Sequence, residues 1–335
     1  MINRMKSLLF LMVFLLPAVV FSQAKTGTAA MTFLKIDVSA RANALGGSFI
    51  GLANDVSTLH YNPAGMINIQ QPDFGVSHTM YLADIQYTWG GLVFPLKEMN
   101  AAVGFQSSFL IVGDMDETTI DKPQGTGRTF SAHDMMVGAS YAQMLTPKFY
   151  IGGTLKFLQE KLANESAWSV AGDVGTYYDT KWKSLIFGMS IRNFGTAVEF
   201  INESADLPMM FVFGIGFNPY DDGINKLSTL VEAGHPSDNN EYITVGLEYS
   251  FDDMFFLRAG RKIDELENWL GDEDKYVKFK DNADGTSVNY DPESFNNFGT
   301  SIGVGFKLSQ FRFDYSWESY GRLGGINMFN VSLSF

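Results

Sequence analysis

The stretch Ser301-Ile302-Gly303-Val304-Gly305-Phe306-Lys307-Leu308, followed after two residues by Phe311-Arg312-Phe313-Asp314-Tyr315-Ser316-Trp317, decides the fold. Ile302, Val304, Phe306 and Leu308 fall on one side of a two-residue period, and Phe311, Phe313, Tyr315 and Trp317 repeat it. Ser301, Gly303, Gly305, Lys307, Arg312, Asp314 and Ser316 fall on the other. That period belongs to extended chain. The two residues between the runs allow a tight hairpin and nothing larger. In a soluble sandwich the greasy face would meet a core. In a membrane barrel it meets hydrocarbon, and the small or charged face turns into the lumen.

The same alternation extends in both directions. Leu185, Phe187, Met189 and Ile191 alternate with Ser184, Gly188, Ser190 and Arg192. Ile243, Val245, Leu247 and Tyr249 alternate with Tyr242, Thr244, Gly246 and Glu248. The pattern predicts strands at 73–82, 85–94, 100–112, 129–142, 149–161, 167–178, 184–194, 209–217, 225–234, 242–250, 253–262, 297–308, 310–317 and 325–335. An even number, with long polar connections on one side (113–128, 195–208, 235–241, 263–296, 318–324) and short ones on the other, predicts an all-β fold. It is a transmembrane antiparallel β-barrel of about fourteen strands, long loops outward. The short connection near Ala83 and Asp84 departs from the trend. Tyr177, Tyr178, Trp182, Tyr220, Trp317 and Tyr320 at strand ends are expected in aromatic belts at the lipid–water interfaces.

Both chain ends fit that placement. Arg4 and Lys6 precede an apolar run, Leu8 to Phe21, that is too short for a spanning helix and ends on small residues. Residues 1–22 therefore read as a secretory signal, with export to the cell outer membrane. Its removal takes away two cations and moves the net charge from −13 to −15, which argues against nucleic-acid partners. The absence of cysteine excludes a lipoprotein anchor, disulfides and thiolate metal sites. At the other end, Phe329, Val331, Leu333 and the last residue, Phe335, resemble the signal read by the barrel-assembly machinery, with outer-membrane lipid as the surroundings.

Residues 23–72 differ from the strands at 73–335. They contain Phe33-Leu34, Ala40-Arg41-Ala42, Ala44-Leu45-Gly46-Gly47, Ala53-Asn54-Asp55 and Tyr61-Asn62-Pro63-Ala64-Gly65. The Ala/Leu pieces favour short helices, and Asn-Pro-Ala-Gly halts one. A segment without a core of its own must pack somewhere, and the lumen of a wide barrel makes it an N-terminal helical plug. Phe33, Arg41, Gly46, Gly47, Asp55, Asn62, Pro63 and Gly65 are its motif residues.

This motif, the terminal aromatic strand and the strand count together resemble the PorV/PorQ family of type IX secretion, within the same barrel superfamily as the fatty-acid channel FadL. The resemblance implies protein transport by binding. Its partners would be secreted proteins with a C-terminal β-sandwich domain, or other type IX components. A FadL-like channel for hydrophobic small molecules is the alternative. It would need an apolar pocket at the plug and a break in a strand, which Gly104, Gly138 or Gly188 could mark as a kink.

No enzyme is indicated. His60, His78, His133 and His235 are scattered, without ligand spacing. Gly46-Gly47 lacks the spacing of a dinucleotide site. Asp114-x-Asp116 opens like a calcium loop, but Thr119 replaces the turn glycine and Gly125 the bidentate acid, so no metal or cofactor is expected. The 263–296 loop carries Trp269 and Leu270 amid acids and is the expected docking surface for a protein partner. Arg192, Glu248, Arg258, Lys307, Arg312 and Asp314 take the inward phase and are expected to pair with one another and with Arg41 and Asp55 of the plug.

Overall fold

The structure is a computed structural model that describes residues 27–182, 184–200, 203–264 and 298–335. The strands run β1 Asp73–Met80, β2 Gln86–Leu96, β3 Ala101–Asp116, β4 Thr129–Thr146, β5 Phe149–Leu162 and β6 Glu165–Asp179. They continue with β7 Ile186–Gly195, β8 Val198–Phe200, β9 Glu203–Ala205, β10 Met210–Asp221, β11 Asn225–Pro236 and β12 Tyr242–Phe251. The last four are β13 Phe255–Asp264, β14 Thr300–Leu308, β15 Phe311–Ser319 and β16 Gly325–Ser334. Fourteen of them close one antiparallel barrel, with β7 pairing β10 and β1 sealing against β16 from Asp73↔Ser334 to Met80↔Asn327. Closure matters because a backbone group left unpaired in hydrocarbon would find no water.

The alternation decides which side is which. Leu155, Leu247, Leu257, Val304 and Phe313 stand exposed on the outer wall, whereas Ser108, Ser190, Thr244, Ser301 and Ser316 are buried inside. The greasy face is therefore the outer one, as a transmembrane wall requires. One side of the barrel carries tight turns. Asp252 and Asp253, for example, take φ of 54° and 48°, the left-handed pair at the centre of a turn that the Met254 N–H closes on the Phe251 carbonyl. The opposite side carries the longer loops, except for the short connection 81–85 between β1 and β2 and that between β5 and β6, where Ala163 and Asn164 suffice. The predicted 195–208 loop has about its expected length, and β8 and β9 fold as a hairpin within it.

Residues 27–72 fill the lumen. Helices Ala40–Asn43 and Thr58–Tyr61 are each 4 residues long, too short to hold alone, and their stability comes from burial against the wall. Ala40, Ala42, Phe49 and Leu59 are fully shielded, and Leu59, Met66 and Phe49 share one apolar cluster with Tyr87, Trp89 and Leu158 of the wall. Asn62 ends the second helix and its side chain accepts from the Ala64 N–H at 3.2 Å, with Pro63 opening the next 3-10 turn, Pro63–Asn68. The plug starts at the loop side, where Ala29 bridges Asp206, and ends at the turn side, where Pro63 packs on Gly152.

Glycine on the inner phase makes room for this plug. A side chain at Gly188 would collide with Ile50, and one at Gly104 with Leu59. The strand register runs unbroken through Gly104, Gly138 and Gly188. The register shifts lie elsewhere, at Val112/Met115, Met144/Thr146, Gly172/Val174 and Phe217/Tyr220.

Candidate ligand site above the plug

Two groups of charges are buried in the lumen, and the first ties the plug to the wall. In the first, Arg41 meets Glu248 of β12 at 2.7 Å and Asp55 at 2.8 Å. Arg258 of β13 reaches the same Glu248 at 2.7 Å and Asp314 of β15 at 2.8 Å, while Arg312 closes on Asp314 at 2.9 Å. Plug and wall thus share one alternating chain of charges, as the inward phase foretold. Lys307 and Arg192 are the exceptions among the expected lumen charges: Arg192 is buried but meets no carboxylate at ion-pair distance among the described residues, and Lys307 does not face the lumen. It lies exposed at the turn-side end of β14 and forms no ion pair with the described residues.

The second group went unread in the sequence. Lys156 of β5 and Asp173 of β6 are both buried and pair at 2.6 Å, and Lys156 also donates to Asn193 Oδ1 at 2.8 Å. Asn193, at φ 60°, sits in the bulge where β6 and β7 shift register, and its N–H donates to Asp173 Oδ1 at 2.8 Å. The signal was present: Gly152, Thr154, Lys156 and Leu158 share one phase of β5, and a charge there had to face inward.

Above the plug, on the loop side, the wall stands clear of it and leaves a cavity of about 450 Å³. The plug supplies Phe33, Ile36, Asp37, His60 and Tyr61 as its floor. The wall supplies Leu110, Asp134, Arg192, Met210, Tyr242, Lys262 and Tyr320. Asp37 accepts the Tyr61 hydroxyl at 2.9 Å, and the Val38 N–H donates to the same phenolic oxygen at 3.2 Å. Lys262 Nζ stands 4.4 Å from the centre of the Tyr242 ring, a cation–π distance. Lys35 at the mouth is tied to Asp238 at 2.5 Å. The cavity therefore mixes both charge signs with aromatic and aliphatic surface, rather than being the apolar pocket expected of a hydrocarbon channel.

Two of the expected belt aromatics face inside instead. Tyr177 stacks on Tyr150 at 5.5 Å against Ala53 and Ala64 of the plug, and Tyr320 lines the cavity edge-on to Tyr81 at 5.8 Å. Tyr178, Trp182 and Tyr220 are exposed on the outside. A second hollow of about 690 Å³ lies on the outer wall over β4–β7, where small Ala139, Gly153 and Gly172 form a furrow between Tyr141, Leu155 and Phe194. Phe329 and Val331 face outward on the closing strand β16.

Of the plug motif, Phe33, Arg41, Asn62, Pro63 and Gly65 are buried and packed. Gly46 and Gly47 take φ of 72° and 84°, and the Gly46 backbone lies against that of Arg261, which a side chain would block. Phe33, Gly46 and Gly47 line the cavity, whereas Arg41 and Asp55 belong to the charge chain and Asn62, Pro63 and Gly65 pack away from it. Trp269 and Leu270 lie outside the described residues, as do the secretory signal and the rest of the long loop. Among the described residues no group of three or more His, Asp or Glu gathers as a metal site.

Comparison with known proteins places this geometry. No curated protein matches the sequence. Among solved structures, the CymD monoaromatic hydrocarbon channel superposes with a TM-score of 0.57 at 11% identity, covering 89% of this chain and 97% of that one. A Pseudomonas aeruginosa FadL homologue gives 0.55 at 12% identity, over 89% and 98% of the two chains. The Pseudomonas putida toluene transporter TodX gives 0.54 at 10% identity, over 93% and 99%. Likeness at that identity establishes the fold, a FadL-like barrel. The sequence profile of one family matches residues 17–260, and the chain therefore belongs to the Uncharacterised protein family (UPF0164).

Proposed function

We propose that this chain is an outer-membrane barrel that binds a small molecule entering from the loop side and acts without a covalent step. The observation that carries the reading is the cavity of about 450 Å³ between plug and wall, built by buried side chains from both. A plug that served only to seal would fill this space with core, as it does lower down, where Leu59 and Met66 share one apolar cluster with Trp89. The titles of the similar barrels name channels and transporters of monoaromatic hydrocarbons and toluene, which supports a small-molecule ligand of comparable size. The test is equilibrium dialysis of the purified protein against labelled solutes small enough for the cavity, charged, polar and apolar. Saturable binding should vanish in Ile36→Trp, which fills the floor. If no solute binds saturably, the reading falls.

A second reading is type IX secretion, in which the barrel holds the C-terminal β-sandwich domain of a secreted protein or another component of that machinery. One feature favours it: the β8–β9 hairpin stands at the loop-side rim and is joined to the plug through the Ala29–Asp206 bridge. A protein docked on that rim would touch the plug directly. Capture of such a domain by the purified barrel, lost when residues 198–205 are replaced by a short Gly/Ser turn, would support it.

A further inference from the structure

Arg192 differs from the other lumen cations. Arg41, Arg258, Arg312, Lys156 and Lys35 each meet a carboxylate at 2.5–2.9 Å. Arg192 is 9% exposed, and no carboxylate among the described residues reaches ion-pair distance of it. Its Nη2 lies 2.9 Å from the Met210 sulfur, a weak acceptor, and its Nε has no partner. The guanidinium stands 5.7 Å above the centre of the Tyr61 ring. His60, next to Tyr61 and on the same cavity floor, likewise has a buried Nδ1 without a partner. Asp37 and Glu232 act on Arg192 through space without a hydrogen bond: Asp37 takes the Tyr61 hydroxyl, and Glu232 takes the Ile50 N–H.

We infer that the cavity seats a compact organic monocarboxylate, its carboxylate held by the Arg192 guanidinium beside His60. This rests on the small-molecule reading above and names the ligand class. A buried guanidinium whose donors lack oxygen acceptors is costly, and Arg192 is part of the cavity wall. A carboxylate supplies the missing acceptors. A neutral hydrocarbon would strip water from Arg192 and return nothing. Phe33, Ile36 and Leu110 offer apolar contact to the rest of the ligand, while Asp134 on the wall of the same cavity disfavours a second negative charge. The ligand is therefore a monoanion with a short aromatic or aliphatic body.

Benzoate and toluene test this, because they share a ring and differ in a carboxylate for a methyl. Calorimetric titration of the detergent-purified protein should show benzoate binding at least about tenfold more tightly than toluene, the worth of hydrogen bonds to a buried charge. Arg192→Gln should erase that preference and Arg192→Lys should keep part of it, with melting temperatures reported beside each. The wild-type comparison stands even if a variant fails to fold. Toluene binding as well as or better than benzoate overturns the anion assignment and leaves the small-molecule reading intact. A benzoate preference that survives in folded Arg192→Gln overturns the role of Arg192. Binding of neither compound, nor of any other labelled solute, overturns both.

Discussion

Arg41 of the plug grips Glu248 of the wall with two parallel hydrogen bonds, Nε to Oε2 and Nη2 to Oε1, each 2.7 Å long. The planar guanidinium matches the carboxylate, which a lysine could not do. Glu248 also accepts from Arg258, so its removal leaves three guanidinium groups sharing fewer acids. Glu248→Ala should destabilise the barrel by about 3–5 kcal/mol, the cost of stranding a buried charge. The double variant Arg41→Met with Glu248→Met should cost much less than the two single changes together. Urea unfolding in detergent, followed by the loss of the folded gel mobility, measures both. Strict additivity would show that the pair does not couple plug to wall.

Gly51 of the plug and Gly216 of β10 touch backbone to backbone: a side-chain carbon added at Gly51 would fall 2.5 Å from the Gly216 nitrogen. The wall cannot retreat, since β10 is bonded on both sides to β7 and β11. Gly216→Ala should therefore push the plug away from the wall, at a cost of about 1–3 kcal/mol typical of overpacking. Limited proteolysis should then release the N-terminal segment faster. Gly113→Ala is the control, because a carbon there meets nothing within 4 Å. Equal protease sensitivity of the two variants would remove the close contact from the account of plug retention.

The wall was legible and the cavity was not, for a physical reason. A lipid-facing strand must alternate at every position, so Ile302 to Trp317 declared both the strands and their facing, and the inward charges Glu248, Arg258 and Asp314 followed from the same phase. Their pairing with Arg41 followed from the cost of leaving a buried charge alone. A cavity, by contrast, is set by where packing stops. Asp37, Tyr61, Tyr242 and Lys262 come from four separate segments, and no local spacing announces that they surround one space. Tyr177 misled for a related reason. It sits near a strand end beside Tyr178, but strand phase sends the two to opposite faces, and phase outranks the belt preference. The β8–β9 hairpin could have been seen in Val198-Glu199-Phe200, whose alternation is too brief to stand out from loop.

Phe335 ends the chain on the seam of the barrel, where its N–H donates to the Pro72 carbonyl at 2.9 Å and Ser334 bonds the Asp73 carboxylate at 3.0 Å. Its ring is exposed on the outside. Deleting Phe335 leaves the register Asp73↔Ser334 to Met80↔Asn327 untouched, so the protein should still refold in detergent with a nearly unchanged melting temperature. In cells, if the terminal aromatic is read during assembly, the amount reaching the outer membrane should fall several-fold. Quantitative blotting of membrane fractions checks this. An unchanged membrane level would deny Phe335 an assembly role, and a collapsed melting temperature would make its contribution one of stability instead.

Val304 lies at the centre of β14 with its side chain on the outer wall, between Gly303 and Gly305, whose inner faces touch Ala44 of the plug and Arg258. If the outer wall meets hydrocarbon, Val304→Arg places a cation near mid-bilayer, and folding into lipid vesicles should lose about 2–4 kcal/mol. Leu308→Arg puts the same charge on the same face at the turn-side end of β14, where the interface lets it reach water, and should lose only about 0–1 kcal/mol. Urea titration of vesicle-folded protein gives both values. The depth dependence is the discriminating quantity, because a soluble barrel with a solvated exterior would tolerate the two arginines equally. Equal small losses would therefore turn the wall inside out and take the membrane placement with it.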